Sequence, residues 1–199
     1  MIRSFAAALL LLLSPSLAFA VPTIGQPAPK FSTLDSNGKM RSLSDFKGKI
    51  VVLEWTNDGC PYVRKHYGSG NMQKVQQDLT SQGAVWLSII SSAPGKQGYV
   101  TGSQANELTK SRNAHPTAVL FDAEGHIGRA YEAQTTPHMY VIDKTGTLRY
   151  MGAIDDQPST DTTKIASAQN YVRDAFAAVA AGKPVATTIT DSYGCSVKY

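Results

Sequence analysis

The residues best suited to covalent chemistry in this chain are its two cysteines, Cys60 and Cys195. Cys60 comes after an apolar run at 50–55 and the short loop Asn57-Asp58-Gly59, and Pro61 follows it directly. Proline suits the first position of a helix, where its missing N–H costs nothing. A thiol reacts as its thiolate, and a cysteine at a helix N-terminus has that anion stabilised by unpaired backbone N–H groups and the helix dipole. Arg64, Lys65 and His66 fall in the next turn and are expected to add positive potential. Cys60 therefore reads as a low-pKa nucleophile. The competing reading is a small apolar residue packed at a strand end.

Cys195 lies far along the chain in a tail of Thr, Ser, Asp and Gly. Two roles are open to it. A flexible tail would bring it to Cys60 as a resolving thiol. Alternatively the pair forms a permanent cross-link, which for so long a loop would stabilise the fold by about 5 kcal/mol. His66, His115, His126 and His138 make no recognisable ligand spacing with Cys60, so no metal and no other cofactor is expected.

These residues must be positioned by a small set of elements. Residues 50–55, nearly all apolar or β-branched, predict a central strand covered on both faces. One helix is expected from Pro61 to about Thr80, ended by Gln82-Gly83, followed by a second buried strand at 84–90. A helix is expected at 103–112, a short strand at 117–121 and a short helix at 128–132. A hairpin then pairs 138–143 with 147–151 across Lys144-Thr145-Gly146. Ile165, Ala168, Val172, Phe176 and Val179 recur at three- and four-residue spacing and predict a terminal helix, stopped by Gly182-Lys183-Pro184. Upstream, the turn at 35–39 joins two short strands, with one helical turn at 42–46. Strands alternating with helices imply an α/β fold: a central mixed β-sheet with helices on both faces and an N-terminal β-hairpin extension.

The chain opens with the features of a secretory signal: a basic start at Arg3, an apolar stretch at 6–13 and the small-x-small site Ala18-Phe19-Ala20. The apolar run is interrupted by Ser14-Pro15 and is short for a membrane span. The expected organisation is a signal peptide at 1–20, one domain at 21–183 and a tail at 184–199 carrying Cys195. A periplasmic or secreted location follows, with no membrane association after cleavage, and it places both cysteines where disulfides form and persist. The formal net charge of +4 comes from basic residues scattered along the chain, which argues against nucleic acid as a partner.

Residues 51–63 resemble the strand, loop and nucleophile of thioredoxin-like proteins, and Thr136-Pro137 before the strand at 138–143 resembles that superfamily's cis-proline element. With Ile24-Gly25-Gln26-Pro27-Ala28-Pro29, Phe31 and residues 43–49, the likeness extends to the redoxin branch that includes the alkyl hydroperoxide reductase/thiol-specific antioxidant proteins. The closing residues 194–199 are similar to the tail of an exported peroxiredoxin-like group. This resemblance implies a thioredoxin-like fold and an active-site loop of Trp55, Thr56, Asn57, Asp58, Gly59, Pro61 and Tyr62 around Cys60. It also implies a substrate-binding element at Thr136 and Pro137: a cis Pro137 would face Cys60 and leave the Thr136 backbone free to pair with an extended substrate. The implied partners are a peroxide, or a protein or small-molecule disulfide, and a thiol electron donor. Two positions depart from the branch. The second thiol of a Cys-x-x-Cys pair is replaced by Val63, and Leu53 and Asn57 stand where the peroxiredoxin signature has Pro and Thr or Ser.

Overall fold

The computed structural model describes residues 21–199, so the expected signal segment at 1–20 lies outside the described residues. Its centre is a five-stranded sheet. In chain order the strands are β1 (Ser32–Leu34), β2 (Met40–Ser42), β3 (Val51–Trp55), β4 (Val85–Ile90), β5 (Ala118–Phe121), β6 (Thr135–Thr136), β7 (His138–Ile142), β8 (Leu148–Gly152) and β9 (Cys195–Ser196). The main sheet has the order β5-β4-β3-β7-β8. The β3/β4 and β4/β5 pairs are parallel, whereas β3/β7 and β7/β8 are antiparallel. β1 and β2 form the expected N-terminal hairpin.

The central strand β3 is buried along its whole length, which explains its near-continuous apolar sequence. Its alternate residues feed two cores. Val51, Leu53 and Trp55 pack with Leu87, Ile89, Tyr131, Tyr140 and the helix α4 (His126–Ala130). Val52 faces the other layer, against α1 (Pro61–Gly68), α2 (Asn71–Ser81) and α5 (Tyr171–Ala180), through Val63, Met72, Val75, Leu79, Val172 and Phe176. A third helix, α3 (Gly102–Ser111), lies at the β5 edge and contributes Ala105 to a small cluster with Ile90 and Val119.

Two expectations about helices are corrected. The single helix expected from Pro61 is two, because Gly70 has a left-handed φ of 77° and breaks the ladder after Ser69. The terminal helix begins only at Tyr171, where Asn170 caps it by accepting a hydrogen bond from the Arg173 amide. Ile165 lies in a separate 3-10 turn, Thr162–Ser167, with no buried residue. The spacing ran on past the point where a cap resets the backbone.

After α5 the segment at 184–199 does not hang free. The Thr190 amide donates to Met151 O at 3.2 Å, and its Oγ1 accepts from the Ala153 amide at 2.9 Å. Further on, β9 pairs antiparallel with β6, placing Cys195 opposite Thr136 and Ser196 opposite Thr135.

Candidate functional site

Cys60 is the N-cap of α1 and is fully buried. The loop before it is held by its own side chains: Asn57 Oδ1 accepts from the Gly59 amide at 2.8 Å, and Asn57 O accepts from the Cys60 amide at 3.0 Å. Gln97, from the loop after β4, closes over this turn. It donates from Nε2 to Gly59 O at 3.1 Å and accepts from Asn57 Nδ2 at 3.2 Å. Asp58 pairs with Arg112 at the end of α3, and Arg64 Nε donates to Asp58 O at 2.8 Å. Pro61 opens α1 as expected.

The Thr136–Pro137 peptide bond is cis. The protonated Cys60 thiol donates to Thr136 O at 3.1 Å, so the cis-proline element meets the sulfur as the resemblance implied. The Thr136 backbone, however, is not free. Cys195 occupies it, because Gly194 lets the tail approach: with φ at 129°, a Cβ there would sit 2.0 Å from Thr136 O. The Cys195 amide then donates to Cys60 Sγ at 3.4 Å. Both cysteines are free thiols.

The electrostatics of the two sulfurs diverge. Burial by itself pushes the Cys60 thiol up, but hydrogen bonds from the Cys195 thiol and the Val63 and Cys195 amides more than offset it and hold Cys60 below its ordinary value. Cys195 is pushed up to about 11 by burial and by its hydrogen bond and proximity to Cys60. One sulfur is thus held toward thiolate and its neighbour toward thiol. The expected contribution of His66 to this field is corrected. It and Lys65 are both buried, Lys65 Nζ donating to Gln157 O at 2.8 Å, and burial lowers His66 to about 4, so it is neutral at pH 7. The Val63 amide at the start of the helix is among the donors that hold Cys60 low.

The remaining expected residues separate. Tyr62 lies beside the tail, its ring 5.7 Å from that of Tyr193. Trp55 is fully buried on the opposite face, against Tyr131 and Tyr140, and donates from Nε1 to Ser91 Oγ at 2.9 Å; it supports the fold there and does not line the Cys60 surroundings. Thr56 lines a cavity of about 40 Å³ with Tyr67, Ser88 and Arg112, and its buried Oγ1 has no hydrogen-bond partner among the described residues.

Three groups were not anticipated. Tyr193, two residues before Cys195, points into a buried cluster: its hydroxyl donates to Asp155 Oδ1 and lies 3.2 Å from His66 Nε2. Lys65 Nζ is 4.0 Å from Asp155 Oδ2. Tyr199 donates its hydroxyl to Ala133 O at 2.9 Å and lies under the Arg129 guanidinium, 4.7 Å from ring centroid to Cζ. The signal for both was an aromatic ring in an otherwise polar tail. The third is Glu54, a carboxyl inside the apolar central strand, fully buried, which accepts from Tyr67, Gln76, Trp86 Nε1 and Ser88. Burial raises its pKa against those donors.

A parallel β3/β4/β5 core extended by antiparallel β7 and β8, with a helix-capping cysteine against a cis-proline before β7, defines a thioredoxin-fold protein with a buried thiol site. The chain belongs to the AhpC/TSA family, which matches residues 24–151. It is 29% identical over 126 residues to the thioredoxin-like protein YneN of Bacillus subtilis (strain 168), covering 63% of this chain and 68% of that protein. A conserved uncharacterised protein of Geobacillus kaustophilus superimposes with a TM-score of 0.79 at 22% identity, over 90% of this chain and 93% of that one. The thioredoxin domain of a thiol-disulfide oxidoreductase from Bacteroides vulgatus superimposes with a TM-score of 0.52 at 18% identity, over 73% and 96% of the two chains. These likenesses establish the fold, and the family match covers the cis-proline and Cys60 but not Cys195.

Proposed function

We propose that this protein is an exported thiol oxidoreductase in which Cys60 attacks an oxidised substrate and Cys195 resolves the product. The observation that carries the reading is the Cys195 amide donating to Cys60 Sγ at 3.4 Å, which puts a second thiol beside the first despite the missing local pair. Export is supported by the signal-like sequence at 1–20, and among the described residues no helix is long and apolar enough to cross a membrane. In this reading residues 21–183 form the redox domain and 184–199 a tail that delivers Cys195.

The chemistry closes with either substrate class. Against a disulfide, the Cys60 thiolate forms a mixed disulfide and releases one substrate thiolate. Cys195 then displaces the second substrate sulfur, which leaves with the Cys195 proton. Against a hydroperoxide, Cys60 takes the terminal oxygen to become a sulfenic acid, and the leaving oxygen departs as alcohol or water after taking up a proton. Condensation of the sulfenic acid with the Cys195 thiol yields the same disulfide and water. An external thiol donor returns both sulfurs to the reduced state. The pKa order suits this sequence, since the attacking sulfur is held low and the resolving one high.

The test is loss of free thiols from the reduced protein after one equivalent of hydrogen peroxide or of a small disulfide, followed by stopped flow. Loss of both thiols in wild type, loss of one in Cys195→Ser and none in Cys60→Ser is expected. Equal loss in wild type and Cys60→Ser would remove Cys60 from the mechanism. The faster of the two oxidants identifies the substrate class.

A further inference from the structure

The outer edge of β6 runs beside Cys60, with Thr136 O 3.1 Å from the sulfur. An unpaired strand edge is a template for any extended chain. Here it is already taken. Cys195 pairs with Thr136 and Ser196 with Thr135, and the Val197 amide donates to Gln134 O at 3.0 Å. Beyond them Lys198 O accepts from the Ala93 amide at 2.9 Å. Tyr199 seats on α4 so closely that a Cβ at Gly128 would stand 2.3 Å from its hydroxyl oxygen. Tyr193 holds the other side, in the Lys65, His66 and Asp155 cluster. The segment at 193–199 is thus fastened on both sides of Cys195, and Cys195 sits where a cysteine of an extended polypeptide would have to sit to reach Cys60.

We propose that residues 193–199 are a tethered occupant of the β6 edge that keeps extended polypeptides from Cys60 and reserves it for small oxidants, with Tyr199 as the positioning residue that holds the edge closed. The proposal rests on the reading of Cys60 as the nucleophile. Two depths of opening separate the substrates. A small oxidant needs only the sulfur uncovered, which requires movement at Gly194 and Cys195. A polypeptide needs the whole edge from Gln134 to Thr136, so the Val197, Lys198 and Tyr199 contacts must also be released. It must do so against a strand held in place at an effective concentration on the order of millimolar. Weakening the Tyr199 seat, four residues from Cys195, therefore eases the deep opening and leaves the shallow one nearly unchanged.

The experiment compares two reagents that release the same thionitrobenzoate anion. One is 5,5′-dithiobis(2-nitrobenzoate); the other is an extended decapeptide whose single cysteine carries thionitrobenzoate as a mixed disulfide. In each case the Cys60 thiolate forms a new S–S bond as the old one breaks, and the anion leaves with the electron pair. All proteins are full-length and carry Cys195→Ser, so Cys60 is the one thiol. Tyr199→Ala is expected to raise the peptide rate at least tenfold and the small-reagent rate less than threefold. Gly128→Ala, which puts a good helix former into α4 and expels the Tyr199 ring, is expected to do the same with the tail's own sequence unchanged. Met40→Ala, exposed on the β1/β2 hairpin, is expected to change neither rate. Equal acceleration of both reagents, or an unchanged peptide rate in both seat variants, overturns the proposal. Failure of Cys60 to react with either reagent in every variant overturns the nucleophile reading itself, and the strap's role with it.

Discussion

At Cys60, burial and hydrogen bonding pull in opposite directions, and the donors win. The first of those donors is the Cys195 thiol, so the neighbouring sulfur itself helps to hold Cys60 low. Cys195→Ala is accordingly expected to raise the midpoint of Cys60 ionisation, because the thiol donor is lost while the Cys195 amide stays. The pH profile of iodoacetamide alkylation measures this, and an unmoved or lowered midpoint would contradict it. The sequence made Cys60 legible because proline and a preceding loop mark a helix start. It could not show that Lys65 and His66 turn inward, since which face of α1 is covered depends on Asp155 and Tyr193, remote in the chain. The sequence leaves the partnership of Cys195 open between two roles for the same reason.

At the level of elements, two joints carry most of the arrangement. Glu54 ties β3 to β4 through Ser88 and Trp86 and to α1 and α2 through Tyr67 and Gln76. Glu54→Ala strands those buried donors, and a loss of at least about 3 kcal/mol is expected in urea unfolding. Gly152 in β8 is the second joint: a Cβ there would lie 2.4 Å from Thr190 O, so Gly152→Ala forces the tail off the sheet edge. A cost of about 2 kcal/mol is expected, together with faster alkylation of Cys60. Unchanged alkylation would mean that the tail does not need its β8 contacts. Apolar runs, turn residues and helix-start signals locate most strands and helices, because burial and chain reversal write themselves into the residues locally. Pairing of β6 with β9 was invisible, since each is two residues long and Thr136 and Cys195 are brought together only by the folded chain.

For the molecule as a whole, His66 and His138 set the response to acid. Burial lowers both to about 4. The unfolded chain, with its histidines near the ordinary value of 6.5, therefore binds more protons in the window between, and stability falls as pH drops from about 6.5 to 4. The shift of each corresponds to about 3 kcal/mol over the full window. Glu54, raised by burial, works the other way, its contribution being complete below the ordinary carboxyl value and lost as pH rises through its folded one. Chemical denaturation at pH 7 and pH 5 is expected to show lower stability at pH 5 in wild type and a smaller difference in His138→Phe; an equal difference in both would discount His138. The strap has a consequence of timing as well. Cys195 is synthesised 135 residues after Cys60, a delay on the order of ten seconds at ribosomal speed. Once β8 has been made, for the remaining part of that interval, the nascent sheet can assemble with its β6 edge bare and its first thiol unaccompanied, and if the tail guards that edge the newborn protein is open to strangers in a way the finished one is not.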